Sequence, residues 1–248
     1  MPQNDPIYKP GGLAHNIITG YFAKQLPQYS FQYVNMSYQR FWIKVNQGDD
    51  ICNVFGLLNK TDSNIISSNT PTFMIPKPSV VMLKTVADKL NYDNNTDAEQ
   101  ILYDLDLFGT YMQGRRLHTE LDQTIAILEQ NNQHHIVGKN YALSNIYKLL
   151  SKQGFDYFIG LPMILNNMTE QSSADLVSFE FDKLSASKLY LVCNQSDKNQ
   201  TFIQAFDNNR KAWFALPELA IAWQHIFQGD AIDPSPSFAA FEKAFNTP

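Results

Sequence analysis

The pattern of apolar residues along this chain changes period again and again, and that most constrains what it can fold into. Leu13 to Leu26 carries apolar residues at Leu13, Ile17, Ile18, Tyr21, Phe22 and Leu26, which is helical spacing after a Gly11-Gly12 turn. Phe31 to Met36 alternates like a strand, and Tyr38 to Val45 reads as a short aromatic helix ending at Gly48. Ile51 to Leu58 is an unbroken apolar run, the pattern of a strand buried in a parallel sheet. Thr72 to Leu83 is strand-like, but Pro76 and Pro78 mark it as an edge or crossing segment, because proline cannot donate to a ladder.

A second cycle follows. Leu107 to Met112 is a strand that runs into Gln113-Gly114-Arg115-Arg116, and Leu117 to Glu129 is a helix with Leu121, Ile125 and Leu128 on one face. His135 to Val137 is a short strand, Tyr141 to Gln153 a helix, and Phe155 to Leu161 a buried strand. Leu176 to Phe181 and Leu189 to Cys193 are further strands, and the tail is helical over Thr201 to Phe214 and Pro217 to Phe227. Strand-like segments therefore recur after the second cycle closes. The fold class is α/β, with one lobe inserted into the other rather than two domains in series.

Composition narrows the function. The 248 residues are 44% hydrophobic and 13% aromatic, ample for packed cores. A net charge of −5 argues against nucleic acid as the main partner, since phosphate neutralisation needs a basic face. No apolar run reaches the length of a membrane helix. The chain as given opens on Met1-Pro2-Gln3-Asn4-Asp5-Pro6, which has neither the basic nor the apolar region of a signal peptide. The sequence holds no GxSxG, HExxH or P-loop. His134 and His135 are adjacent, so on a strand they point to opposite faces and chelate poorly. Neither a metal nor a cofactor is expected.

Several short stretches, taken in order, resemble the extracytoplasmic solute-binding proteins of family 3, which have the type II periplasmic binding fold. Asn4-Asp5-Pro6-Ile7-Tyr8 is similar to the family's Asp-aromatic-Pro segment, and Gly12 to Tyr29 to its first helix. Gly48 to Thr61 resembles the Cys-containing strand and Leu-Leu-Lys-Thr turn of a less characterised branch. Thr70-Pro71-Thr72 stands at the Ser-x-Pro-Tyr position, Gln113 to Arg116 at the Gly-Arg turn of the second lobe, and Gly154 to Tyr157 at Gly-x-Asp-Tyr.

The resemblance implies a two-lobed α/β fold, each lobe a mostly parallel sheet flanked by helices, with a ligand cleft between them. Lobe 1 would comprise residues 1–83 and 187–248, and lobe 2 residues 84–186. The crossings would lie near Met82 to Lys84 and Ser185 to Lys188. It implies a non-enzymatic protein that closes on a small polar ligand for a membrane transporter or sensor, in the periplasm or otherwise outside the cytoplasm, with a natural N-terminus longer than the sequence given. The alternatives are a dehydratase-like enzyme on the same fold, with Asp156 as candidate acid or base, and a relative that acts through protein contacts.

The implied ligand set is Tyr8, Lys9, Asn59, Asn64, Phe73, Arg115 and Arg116. Tyr8 would stack on a flat ligand. Asn59 and Asn64 would hydrogen-bond a neutral one. Arg115 and Arg116, at a helix start, would attract an anion. The family's amino-acid binders clamp the ligand carboxylate with an Arg where this chain has Asn64, and hold the ammonium with an acid where it has Gly160 or Leu161. Both substitutions point away from a free α-amino acid. The same layout sets the strand of Cys52 antiparallel to that of Cys193, which implies a disulfide between them.

Overall fold

The computed structural model describes residues 13–34, 36–58, 64–93, 95–130, 136–139, 145–152, 154–161 and 175–219. The chain forms two compact units, Met1–Ile75 with Lys188–Pro248, and Pro76–Ser187.

The first unit is built around its longest strand. The run Ser187–Asn194 (β9) is apolar on both faces and almost wholly buried, so it takes a central place. On one side it pairs antiparallel with β1 (Cys52–Gly56). On the other it pairs with β2 (Ile65–Ser67) and then β3 (Phe73–Ile75). The run Ile51 to Leu58, which reads as a buried parallel strand by its apolar pattern, is antiparallel to this described neighbour, as the resemblance implied for the strands of Cys52 and Cys193, and it is interrupted by a register shift between Asn53 and Gly56. The break between β2 and β3 falls at Pro71, which has no N–H. Thr72 restores the ladder there: its N–H donates to Leu189 O at 2.7 Å, and its buried hydroxyl reaches Val54 O and Leu189 O.

Aromatic side chains make the core of this unit. Helix α1 (Leu13–Gln25) buries Tyr21 and Phe22 against Phe202 and Phe206 of α7 (Asp197–Asn208) and Trp213 of α8 (Arg210–Phe214). The rings meet edge-on or tilted, the arrangement their quadrupoles favour. Trp213 is fully buried, and its Nε1–H donates to Thr72 O at 2.8 Å. Helix α2 (Tyr38–Asn46), capped by the Ser37 hydroxyl, packs Phe41, Trp42 and Val45 on Val192. Of Phe31 to Met36, read as a strand from its alternation, the described residues are not in a sheet; Phe31 instead stacks on Phe22.

The second unit is a five-stranded sheet of order β6-β5-β7-β4-β8. Its strands are β4 (Ser79–Leu83), β5 (Gly109–Met112), β6 (Ile136–Lys139), β7 (Tyr157–Gly160) and β8 (Leu176–Glu180). β5 runs parallel to β6 and β7, whereas β4 is antiparallel to β7 and β8. The proline-marked segment therefore divides. Its prolines fall between β3 and β4, and β4 itself is paired along both edges. The chain thus enters this unit at Ile75/Pro76, ahead of the Met82 to Lys84 stretch that the sequence suggested. Lys77, between the two prolines, pairs with Glu180 at 2.7 Å.

Helices α3 (Lys84–Leu90) and α4 (Ala98–Leu102) follow β4, while α5 (Thr119–Gln130) and α6 (Ile146–Lys152) connect the parallel strands. α5 buries Leu121, Ile125 and Leu128, each on the order of 1.5–3 kcal/mol of transfer free energy. α6 contributes Leu149 and Leu150 to a cluster with Val81, Phe155, Phe158 and Leu176. Among the described residues no helix is long and apolar enough to cross a membrane.

Candidate functional site

Strand order in the second unit reverses at β5. The chain leaves β5 for β6 on one side and returns past it to β7 on the other. α6 packs on the face that carries Val81 and Phe158, whereas Glu129 of α5 accepts a hydrogen bond from Tyr111 on the opposite face at 2.9 Å. Helices α5 and α6, which follow β5 and β6, therefore lie on opposite faces of the sheet. In open α/β sheets that divergence opens a crevice at the carboxyl ends of the strands, where ligands bind. Met112, Gln113, Gly114, Arg115 and Arg116 occupy that end of β5.

Gly114 makes the turn possible. Its φ of 74° lies in the left-handed region, and Arg115 N–H closes the turn on Met112 O at 3.2 Å. Arg115 and Arg116 are half-buried and lie in the loop ahead of α5, which begins at Thr119. Three N–H groups at the head of this helix and just before it, those of Leu117, His118 and Glu120, have partners within the chain, where the sequence predicts donors facing an external anion. Asp122 folds back so that its two carboxylate oxygens lie 3.1 and 3.2 Å from Leu117 N. It also accepts from His118 N–H. His118 Nδ1 accepts from Glu120 N–H at 3.3 Å, and His118 O receives Asp122 N–H at 2.8 Å. Leu117 is buried, and its carbonyl receives the Ser187 hydroxyl at 3.5 Å.

Burial sets the acid–base character of this loop. It pushes the Asp122 carboxyl up to about 6, against the two backbone hydrogen bonds and the charge of Arg116, which pull the other way. Burial lowers His118 below its usual value, against the nearby Glu120. A neutral imidazole keeps Nδ1 free to accept, so the lowered value fits the cap it makes.

In the first unit, Asn64 is exposed just before β2, and its carbonyl accepts Gln195 N–H at 3.0 Å. Phe73 is 4% exposed and packs edge-on against Phe55. It lies in the core of the first unit, since β3 is buried along its whole length. Tyr8, Lys9 and Asn59 lie outside the described residues, as do His134 and His135. Asp156 is engaged in structure: its carboxylate accepts Phe108 N–H at 2.8 Å, while its own N–H donates to Phe108 O. Among the described residues no group of three or more His, Cys, Asp or Glu could hold a metal ion.

Cys52 and Cys193 stand opposite each other on β1 and β9, and a disulfide joins them. Beside it lies a buried pair that sequence reading missed. Asn199 Nδ2 donates to Asn194 Oδ1 at 2.6 Å and to Asn194 O at 3.1 Å. Asn194 in turn accepts Ile51 N–H and donates to Gly48 O, both at 3.3 Å. Nothing in an Asn-rich sequence separates these two asparagines from the surface ones; burial does.

No family model matches the chain, and no curated protein does. Solved structures do. One, from a study of glutathione import in Gram-positive bacteria via GshT and the cystine ABC importer TcyBC of Streptococcus mutans, is 13% identical, with 92% of each chain covered and a TM-score of 0.63. A substrate-binding protein of an ABC uptake transporter from Streptococcus pneumoniae, with bound histidine, is 13% identical over 88% of this chain and 84% of that one, with a TM-score of 0.60. A periplasmic binding protein of high arginine specificity from Salmonella typhimurium is 16% identical over 87% of this chain and 88% of that one, with a TM-score of 0.57. The chain has the two-lobed α/β fold of these periplasmic binding proteins.

Proposed function

We propose that this protein captures a small polar solute outside the cytoplasm and passes it to a membrane transporter or a sensor. The likeness of fold to ligand-capturing proteins over nearly the full length of both chains supports this most, at 92% in each direction for the Streptococcus mutans structure. In this reading the lobes close on the solute, with Arg115 and Arg116 contributed by one lobe and Tyr8, Lys9, Asn59 and Asn64 by the other. Closure follows because only the closed state lets the ligand touch both lobes. A neutral Asn64 where amino-acid binders carry an Arg favours a ligand other than a free α-amino acid.

The test is a broad metabolite panel read by thermal shift, followed by small-angle scattering on each hit. A hit should raise the melting temperature by mass action and shrink the radius of gyration. A protein that answers to no member of the panel in either measurement would remove the support for this reading.

A further inference from the structure

We propose that the loop after α4 is a docking surface, and that its occupant is a basic protein segment carrying an apolar side chain among arginines or lysines. The inference goes beyond the solute-binding reading and does not depend on it. Leu105 is 64% exposed and Tyr103 51%, and Leu105 is the most exposed large apolar side chain among the described residues. Neither belongs to a frayed end. α4 buries Ala98, Ile101 and Leu102 on one side of the loop, and Leu107 is buried on the other. Asp104 fixes the turn between them. Its carboxylate accepts Asp106 N–H at 3.0 Å and the Tyr92 hydroxyl at 2.8 Å, and its carbonyl accepts Leu107 N–H at 3.2 Å. A partner that covers Tyr103 and Leu105 therefore meets a loop already in place, and loses little affinity to ordering it.

The charge around the two side chains selects the partner. Between Leu90 and Gly114 the chain has no lysine, arginine or histidine. That stretch holds Asp93, Asp97, Glu99, Asp104 and Asp106, and the fold adds Asp182, whose N–H donates to Asp97 at 3.4 Å. Lys183 comes with it and pairs with Glu99. The patch then carries a net charge equal to the −5 of the whole chain, so the remainder is balanced. Asp106 and Asp182 have no ion pair among the described residues. Such a field repels anionic lipid headgroups and nucleic-acid phosphates, and it steers in a positively charged partner. A metal ion fits poorly, because among the described residues no three acids are grouped to hold one. A free polyamine would meet the carboxylates but leave Tyr103 and Leu105 in water. A basic protein segment covers both, with its charges at the rim and an apolar side chain at the centre.

The experiment uses the full chain, with short peptides as probes and backbone amide resonances as the readout. The peptides are an arginine–leucine repeat, oligoarginine of the same length and a glutamate–leucine repeat. The arginine–leucine peptide should shift the amides of Tyr103, Leu105, Asp106 and Lys183 saturably, and bind more tightly at low salt. Oligoarginine should bind there about tenfold more weakly, and the glutamate–leucine peptide not at all. Leu105→Ser, at an exposed position, should weaken the arginine–leucine peptide by about tenfold. Asp106→Asn combined with Asp182→Asn should weaken it as well and flatten its salt dependence. The proposal is overturned by the absence of a saturable shift, by oligoarginine binding equally well, or by an unchanged affinity in Leu105→Ser. Shifts spread evenly to acids elsewhere, such as Asp49 and Asp88, also overturn it. So does a response of the same amides to phosphatidylglycerol vesicles, which assigns the surface to a membrane, or a self-association that Leu105→Ser abolishes, which assigns it to a second copy. The metabolite panel reads none of these outcomes, so this proposal and the solute-binding reading fail separately.

Discussion

The phenol ring of Tyr157 lies directly over the backbone of Gly109, its partner on the parallel strand, so closely that a β-carbon on Gly109 would come within 2.1 Å of the ring. Tyr157 is fully buried and cannot swing out to solvent. Gly109→Ala should therefore destabilise the protein by about 1–3 kcal/mol through overpacking. Gly20, inside α1, has nothing within 4 Å of its virtual β-carbon, so Gly20→Ala should stabilise by about 0.5–1 kcal/mol through helix propensity. Denaturant unfolding of the two variants measures both, and equal effects would show that the ring contact does not control the site.

Removing the disulfide should be costly. It closes a loop across a sequence separation of 141, which the chain-entropy model values at about 4–5 kcal/mol. Cys52→Ser with Cys193→Ser, or a reductant on the wild type, should lower stability by similar amounts in equilibrium unfolding. An unchanged unfolding midpoint under full reduction would show that the β1 to β9 pairing holds without the bond.

Ionisation of Asp122 should work against stability. Its folded value, pushed up to about 6 by burial, exceeds the ordinary carboxyl value. The folded state then binds the proton more tightly than the unfolded state does. Its contribution is fully present below about pH 4 and is lost as the pH rises through about 6. His118 has the opposite sign, since its lowered value gives stability above its unfolded value that is lost as the pH falls. Asp207 is raised by burial as well and acts in the same direction as Asp122. Comparing the stability–pH curves of wild type and Asp122→Asn isolates one group. The wild type should lose stability relative to the variant between about pH 4 and 6. Parallel curves would contradict the raised value.

Trp213 tests the aromatic core and the strand junction together. Trp213→Ala should cost about 3–5 kcal/mol for the lost volume. Trp213→Phe keeps much of the packing but removes the donor to Thr72 O, for about 1–3 kcal/mol. A Phe variant as stable as the wild type would mean that the carbonyl beside Pro71 finds another donor.

Much of the α/β organisation is readable from apolar spacing. The helices around Tyr21, Phe41, Leu121 and Phe206 each carry one apolar stripe, and β5, β7 and β9 are short apolar runs. Where spacing misleads, competing contacts decide the outcome. Phe31 and Tyr33 alternate like a strand, but Phe31 stacks on Phe22 and the segment joins no ladder. Pro76 and Pro78 look disruptive, yet they precede β4 and leave its pairing along both edges intact. For the candidate site, Gly114 and Arg115 are visible as a turn, while Asp122 is not. An acid one turn into a helix is common, and only the folded loop shows its carboxylate taking the donors of Leu117 and His118.

The sequence by itself determined most of the helix and strand segments, because periodicity is a local property written in the order of side chains. It also set the low charge and the neutral Asn64. Tertiary structure alone decided that Phe73 belongs to the core and that Asp122 folds back on the loop before α5, while the antiparallel β1–β9 pairing and the Cys52–Cys193 bond are those that the resemblance implied. Each of these depends on residues far apart in sequence or on a loop folding back upon itself. Their energies come from burial and hydrogen-bond geometry, which no local pattern encodes.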